Sequence, residues 1–157
     1  MTDKIALIGA GAMGGAIGAR LVATGTQLAV FDPDPAKLAP LVATGATAAP
    51  SAAAAATRVR AVILSLNAPH IVRAAVFGPG GAAEGAAPGT LIIDMSSIDP
   101  EATKALAADA AAKGLHWVDS PLSGGIPKAA KGELTLMQGG APEDVAAAQA
   151  ILSRVAS

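Results

Sequence analysis

The sequence predicts a doubly wound α/β domain, a mostly parallel sheet with helices on both faces. Three observations carry that expectation. Short apolar runs alternate with helical patterns along the chain. The composition is 52% hydrophobic and only 15% charged, with two Phe, one Trp and no Tyr, which suits small-residue helices packed on a sheet better than an aromatic all-β core. A glycine-rich turn joins the first strand pattern to the first helix pattern. At 157 residues the chain fits a single domain with a proper core.

The elements follow in order. Ile5–Ile8 reads as the first strand, and a helix runs from about Met13 to Thr24, closed by Gly25. Leu28–Phe31 is the second strand, and Pro35–Thr44 is a helix ended by Gly45. Pro50-Ser51 caps a short helix within the alanine-rich stretch 48–56. Val59–Leu66 is an apolar strand, Pro69–Phe77 a helix, and Gly78-Pro79-Gly80-Gly81 a turn. Leu91–Asp94 is a strand that leads through Met95–Pro100 into a helix over Glu101–Lys113. Gly114 ends that helix and Leu115–Val118 is a strand. A polar loop, Asp119–Gly132, precedes a strand at Leu134–Met137. The last helix is Pro142–Val155, with Pro142 near N1 and Glu143 and Asp144 in the first turn, where the dipole favours them. No strand is expected after it.

Several function classes fall away. A formal net charge of −1 leaves no electrostatic footprint for nucleic acid. The absence of cysteine excludes disulfides, thiol catalysis and Cys-based metal sites, and is compatible with a reducing cytoplasm. The N-terminus, Met1-Thr2-Asp3-Lys4, shows no basic leader with an apolar run. Apolar runs stop well short of the ~20 residues of a membrane span. A cytoplasmic chain without membrane or nucleic-acid partners is expected.

Gly9-Ala10-Gly11-Ala12-Met13-Gly14 fits GxGxxG between a strand and a helix, the context that gives the pattern meaning. Gly9 makes the tight turn, Gly11 admits a pyrophosphate to the backbone, and Gly14 lets helix and strand pack closely. The helix N-terminus offers N–H groups and partial positive charge to phosphates. No Lys-Ser/Thr pair follows, so this is not a nucleoside-triphosphate loop. Asp32 lies 18 residues after Gly14, where an acid would accept hydrogen bonds from the adenosine ribose hydroxyls and repel a 2′-phosphate. No arginine adjoins it, and Lys37 is the next cation. The pattern predicts NAD, with NADP disfavoured. The competing reading of Asp32 is a turn or capping residue in the Asp-Pro-Asp-Pro loop.

Three further segments end predicted strands, where ligands bind in open α/β sheets. They are Leu66-Asn67, Asp94-Met95-Ser96-Ser97, and Asp119-Ser120-Pro121-Leu122-Ser123-Gly124-Gly125 with the later Lys131-Gly132-Glu133-Leu134-Thr135-Leu136-Met137. Together with the glycine loop they resemble the cofactor domain of the β-hydroxyacid dehydrogenase family. That family includes 3-hydroxyisobutyrate dehydrogenase, tartronate semialdehyde reductase and L-threonate dehydrogenase, and shares this domain with 6-phosphogluconate dehydrogenase. The resemblance covers essentially the whole chain and implies a Rossmann-type NAD(P)-binding domain over residues 1–157.

The same resemblance implies the site. Ser123, Gly124 and Gly125 would bind the substrate's carboxylate end, a role suited to a hydroxyl and unobstructed N–H groups. Ser97, with Ser96 beside it, would lie at the nicotinamide, the rival reading being helix capping before Asp99-Pro100. Leu66-Asn67 stands where the family has Leu-Pro, as a further cofactor contact. With Gly9, Ala10, Gly11, Ala12, Met13, Gly14 and Asp32, these complete the cofactor-binding set. The family's catalytic lysine sits on a following helix in a G-x-x-K-x-x-x-N motif, ahead of an all-helical substrate domain. Both would lie beyond Ser157, so no catalytic residue is expected in this chain and the fragment alone should be inactive.

The remaining candidates weigh less. His116 beside Trp117 reads as structural, and His70 lacks partners for a metal site or a nucleophile to activate. Lys128 and Lys131 read as surface lysines. The expected function is the NAD-binding half of an oxidoreductase acting on a small β-hydroxyacid, in a homo-oligomer. The alternatives are a stand-alone NAD-binding module and an NADP-linked reductase of related fold.

Overall fold

A computed structural model describes residues 3–157. The expectation about a leader rests partly on Met1 and Thr2, which lie outside the described residues. Six strands form one sheet: β1 (Ile5–Ile8), β2 (Leu28–Phe31), β3 (Thr47–Ala48), β4 (Ala61–Leu64), β5 (Leu91–Asp94) and β6 (His116–Asp119). Their order is β3-β2-β1-β4-β5-β6 and every pairing is parallel. The order reverses between β1 and β4, and the crevice outside the carboxyl ends of such strands is where ligands bind.

Strand composition explains the layering. β1, β4 and β5 are buried at every residue, as expected for parallel strands covered on both faces. Successive side chains point to opposite faces. Leu7, Val30, Ile63 and Ile93 therefore meet one set of helices, α1 (Ala12–Ala23), α2 (Pro35–Thr44) and α8 (Pro142–Leu152). Ile8, Val62, Leu64 and Ile92 meet the other set, including α4 (Pro69–Phe77) and α6 (Pro100–Ala112). Pro35, Pro69, Pro100 and Pro142 each open a helix, where the missing N–H costs nothing. Asp34 and Asp99 cap α2 and α6 by accepting from Ala36 and Ala102 backbone N–H groups.

Four segments depart from the sequence expectation. The alanine-rich stretch is split: Thr47–Ala48 pairs with β2 as an edge strand, and only Ala52–Ala55 is helical (α3), capped by Ser51 as expected. A short helix, α5 (Ala82–Gly85), follows the glycine turn. The expected loop over Asp119–Gly132 holds β7 (Leu122–Ser123) and α7 (Gly125–Lys131). Glycine and proline obscured α7 in the sequence, yet Gly132 caps it in the left-handed region, and Ala129 is buried in the core cluster that includes Ile17 and Leu21 of α1. β8 (Thr135–Leu136) pairs antiparallel with β7 in a separate sheet. After α8 the chain does regain a strand contact, because Ala156 bridges Leu134 in parallel.

Candidate functional site

The site is built along the carboxyl edge of the main sheet. The glycine loop leaves β1 and enters α1 with Gly11 as its N-cap. Gly9 takes φ +100°, and a side chain there would collide with the Ser65 carbonyl oxygen after β4. A side chain on Gly14 would collide with the Gly9 carbonyl oxygen, so α1 starts in backbone contact with the loop that precedes it. Gly11 differs from both. Its φ of −66° is open to any residue, and a Cβ there would meet no protein atom within 4 Å. The fold therefore requires glycine at positions 9 and 14 but not at 11. At 11 it leaves room for a group outside the protein to approach the backbone.

Asp32 follows β2 and reaches back to this loop. Its carboxylate accepts from the Ala10 N–H at 2.8 Å through Oδ2 and from the Asp34 N–H at 2.9 Å through Oδ1. Asp34, not Asp32, is the cap of α2. Asp32 is half-buried, and each oxygen keeps acceptor capacity beyond the bond it makes. A cleft of about 420 Å³ runs from Ala10, Gly11 and Ala12 along α1 to Lys37 and Thr44 of α2.

Hydrogen bonds continue the edge from β4 to β6. The Leu66 N–H donates to Ser96 Oγ at 2.9 Å. The Ser96 N–H donates to Asp94 Oδ1 at 2.9 Å. The Ser120 N–H donates to the Asp94 carbonyl at 2.8 Å, and Gln138 Nε2 donates to Ser120 Oγ at 3.3 Å. Of the sequence candidates here, Leu66 is half-buried while Asn67 and Ser97 are exposed. Ser96 is buried at 3% exposure, its hydroxyl accepting from the Leu66 N–H. Neither serine caps α6. Ser123, Gly124 and Gly125 are exposed, with Gly124 at φ +133° and Gly125 at φ +73° leading into α7.

Two acids here were not singled out from the sequence. Asp94 and Asp119 are paired in register at the ends of β5 and β6. Asp94 is fully buried and its Oδ2 has no hydrogen-bond partner. Burial pushes its carboxyl up to about 6, against the lowering effect of the Ser96 bonds, and Asp119 adds a smaller upward push. Burial also raises Asp119. The available signal was an acid closing each apolar run, Leu-Ile-Ile-Asp and Trp-Val-Asp.

Other features lie elsewhere. A cavity of about 780 Å³ is lined by Gly25, Thr26, Gln27, Arg60 and Arg154 among others. It sits at the amino end of the strands, at the opposite end of the sheet from the crevice. His116 faces the same end and pairs with Asp144 at 2.9 Å, outside the crevice. His70, Lys128 and Lys131 are exposed. Among the described residues, no group of three or more His, Cys, Asp and Glu could hold a metal ion, and no helix is long and apolar enough to cross a membrane.

Residues 4–157 match the family described as the NAD binding domain of 6-phosphogluconate dehydrogenase. The chain is 38% identical over 150 residues to 2-(hydroxymethyl)glutarate dehydrogenase of Eubacterium barkeri, covering 96% of this chain and 50% of the relative. It is 39% identical over 155 residues to 3-hydroxyisobutyrate dehydrogenase of Pseudomonas aeruginosa, covering 99% and 52%. Among solved structures, Mycobacterium tuberculosis 3-hydroxyisobutyrate dehydrogenase with L-serine superposes with a TM-score of 0.94 at 32% identity, over 99% of this chain and 53% of that one. Psf3 in complex with NADP+ superposes at 0.92 with 28% identity, over 97% and 54%. The chain spans about half the length of the curated relatives it matches. The parallel sheet order, the glycine loop and these matches agree: the chain belongs to the family of the NAD binding domain of 6-phosphogluconate dehydrogenase, a Rossmann-type domain.

Proposed function

We propose that this chain is the cofactor-holding half of a dehydrogenase that moves a hydride between a small β-hydroxyacid and NAD, with NAD preferred over NADP. The observation that carries the reading is Gly11: neither its dihedrals nor its protein neighbours require glycine, but a pyrophosphate pressed against the loop does. The residues fit that group. The backbone of Ala10, Gly11, Ala12 and Met13 and the N-terminus of α1 would hold the phosphates, with Gly9 and Gly14 keeping loop and helix together. The Asp32 carboxylate, already oriented by the Ala10 and Asp34 N–H groups, would accept from the ribose hydroxyls. Leu66, Asn67 and Ser97 would border the nicotinamide, which supplies or receives the hydride when bound.

Substrate would meet the exposed Ser123, Gly124 and Gly125, whose hydroxyl and unshielded N–H groups suit a carboxylate. Ile126 on α7 and Met137 beside β8 are 47% and 69% exposed, an apolar flank fit for a substrate domain or a second copy to cover. A stand-alone cofactor module would have no use for a carboxylate-binding loop at this edge. The proton-transferring base would come from a segment outside this chain, so turnover by the 157 residues alone is not expected.

The NADP-bound neighbour makes cofactor choice the sharpest test. Titration of NADH and NADPH into the chain should show NADH bound at least about tenfold tighter, because a 2′-phosphate would face the Asp32 carboxylate. Asp32→Ala should weaken NADH and narrow that gap. Equal or tighter NADPH binding by the native chain would overturn the NAD assignment.

A further inference from the structure

Among the described residues Asp94 is the one fully buried acid, and neither the phosphate cradle nor the exposed Ser123–Gly125 turn uses its side chain. Its side chain holds the Ser96 N–H at 2.9 Å, and Ser96 Oγ in turn holds the Leu66 N–H. Leu66 matters because it packs over the phosphate loop: a side chain added at Gly9 would come within 2.9 Å of Leu66 Cδ2. The Asp94 carbonyl meanwhile receives the Ser120 N–H at the start of the substrate loop. One residue thus touches the segments that follow β5 and β6, and through Ser96 reaches the one that follows β4.

The chemistry at this position is costly. Asp94 Oδ2 is buried without a partner, and an amide of the same shape would avoid burying a charge. The described charged group acting on it is Asp119, its register partner on β6, while from β4 it faces Leu64. Asp119 is a like charge and gives no compensation.

We propose that Asp94 is a positioning residue for the cofactor site: its carboxylate clamps Ser96, Ser96 clamps the Leu66 backbone, and the clamp holds Leu66 against the phosphate loop. The inference rests on the cofactor reading above. Hydrogen bonds to an ionised carboxylate are about twice as strong as those to a neutral one. The clamp therefore tightens as Asp94 ionises and relaxes as it takes up a proton, a transition that burial moves up to about pH 6.

Amide hydrogen exchange in the cofactor-free chain, corrected for the intrinsic pH dependence of exchange, tests the clamp without needing activity. Protection of the Leu66 N–H should grow about fivefold from pH 5 to pH 7.5 in the native chain. Ser96→Ala should abolish that protection, and Asp94→Asn should leave it independent of pH. NADH affinity should follow the same profile, rising about fivefold over this range in the native chain and staying flat and weaker in Asp94→Asn. A purely structural role would lower the melting temperature without removing the pH profile. Leu66 protection that ignores pH in the native chain, or an unchanged profile in Asp94→Asn, overturns the clamp. If the exchange profile follows Asp94 but NADH binds at no pH, the cofactor reading is what fails.

Discussion

The two glycine-bearing loops of the crevice use glycine for different reasons. Around Gly9–Gly14 space excludes a side chain at both glycines, with a left-handed φ at Gly9 besides: Gly14 is helical in its dihedrals, yet the Gly9 carbonyl leaves no room for a side chain. Around Ser123–Gly125 the backbone dominates, both glycines lying at positive φ, and the close neighbour of Gly124 is the Lys128 side chain rather than backbone. Gly125 sits at φ +73°, and a Cβ there would approach only Pro127 Cδ, at 3.8 Å. The first loop is fixed against its neighbours by contact. The second is an exposed turn whose shape comes from its own dihedrals and the α7 helix that follows. A cofactor loop of the first kind is preorganised, whereas a loop of the second kind is completed by what packs on it.

Substitutions should separate the two. Gly14→Ala should have the largest effect, lowering stability by at least about 2 kcal/mol, since the atoms it meets are backbone and cannot turn aside. Thermal or urea unfolding would show it, and a native-like midpoint would mean that loop and helix are less tightly joined than the contact implies. Gly125→Ala should cost about 1 kcal/mol, the strain of a left-handed alanine, with NADH affinity unchanged. A loss as large as that of Gly14→Ala would erase the distinction between the loops.

Asp94→Asn should work in the opposite direction on stability. Its carboxyl is raised from 3.8 to about 6, so the folded state binds the proton more tightly than the unfolded chain. The stability this contributes is fully present below pH 3.8 and is lost as pH rises through about 6. Removing the charge should therefore leave the fold unchanged or more stable at pH 8, with the difference from the native chain shrinking toward pH 4. Melting curves across that range would measure it, and a variant less stable at pH 8 would show that the Ser96 bonds outweigh burial. A gain in stability with a loss of NADH affinity would mark Asp94 as a residue kept for function.

How much of this was legible in the sequence follows the range of the interactions. β1, β2, β4 and β5 are apolar runs, α2, α4 and α6 start on proline, and α2 and α6 carry aspartate caps, so these are readable locally. The short elements were not: Thr47–Ala48 is a strand only because β2 lies beside it, and α5 holds through Gly85 pressed on the Ala53 carbonyl. α7 reads as a loop because its glycines and Pro127 are breakers in isolation, and tertiary packing of Ala129 overrides them. In the site, Gly9, Gly14 and Asp32 sit where the spacing placed them. The burial of Ser96, its bond to Leu66 and the bond of Ser120 to Asp94 depend on β4, β5 and β6 being neighbours, which no local pattern encodes.

Gly11→Ala offers the most direct test, and it carries the smallest expected effect on the fold. With an extended backbone and no protein atom within 4 Å of the added methyl, unfolding of the variant should match the native chain. Calorimetric titration with NADH should show binding lost or weakened at least about a hundredfold, because the methyl would stand where the pyrophosphate meets the backbone. A Gly11→Ala chain that folds normally and binds NADH as the native one does would contradict the assignment of this loop as the cofactor cradle.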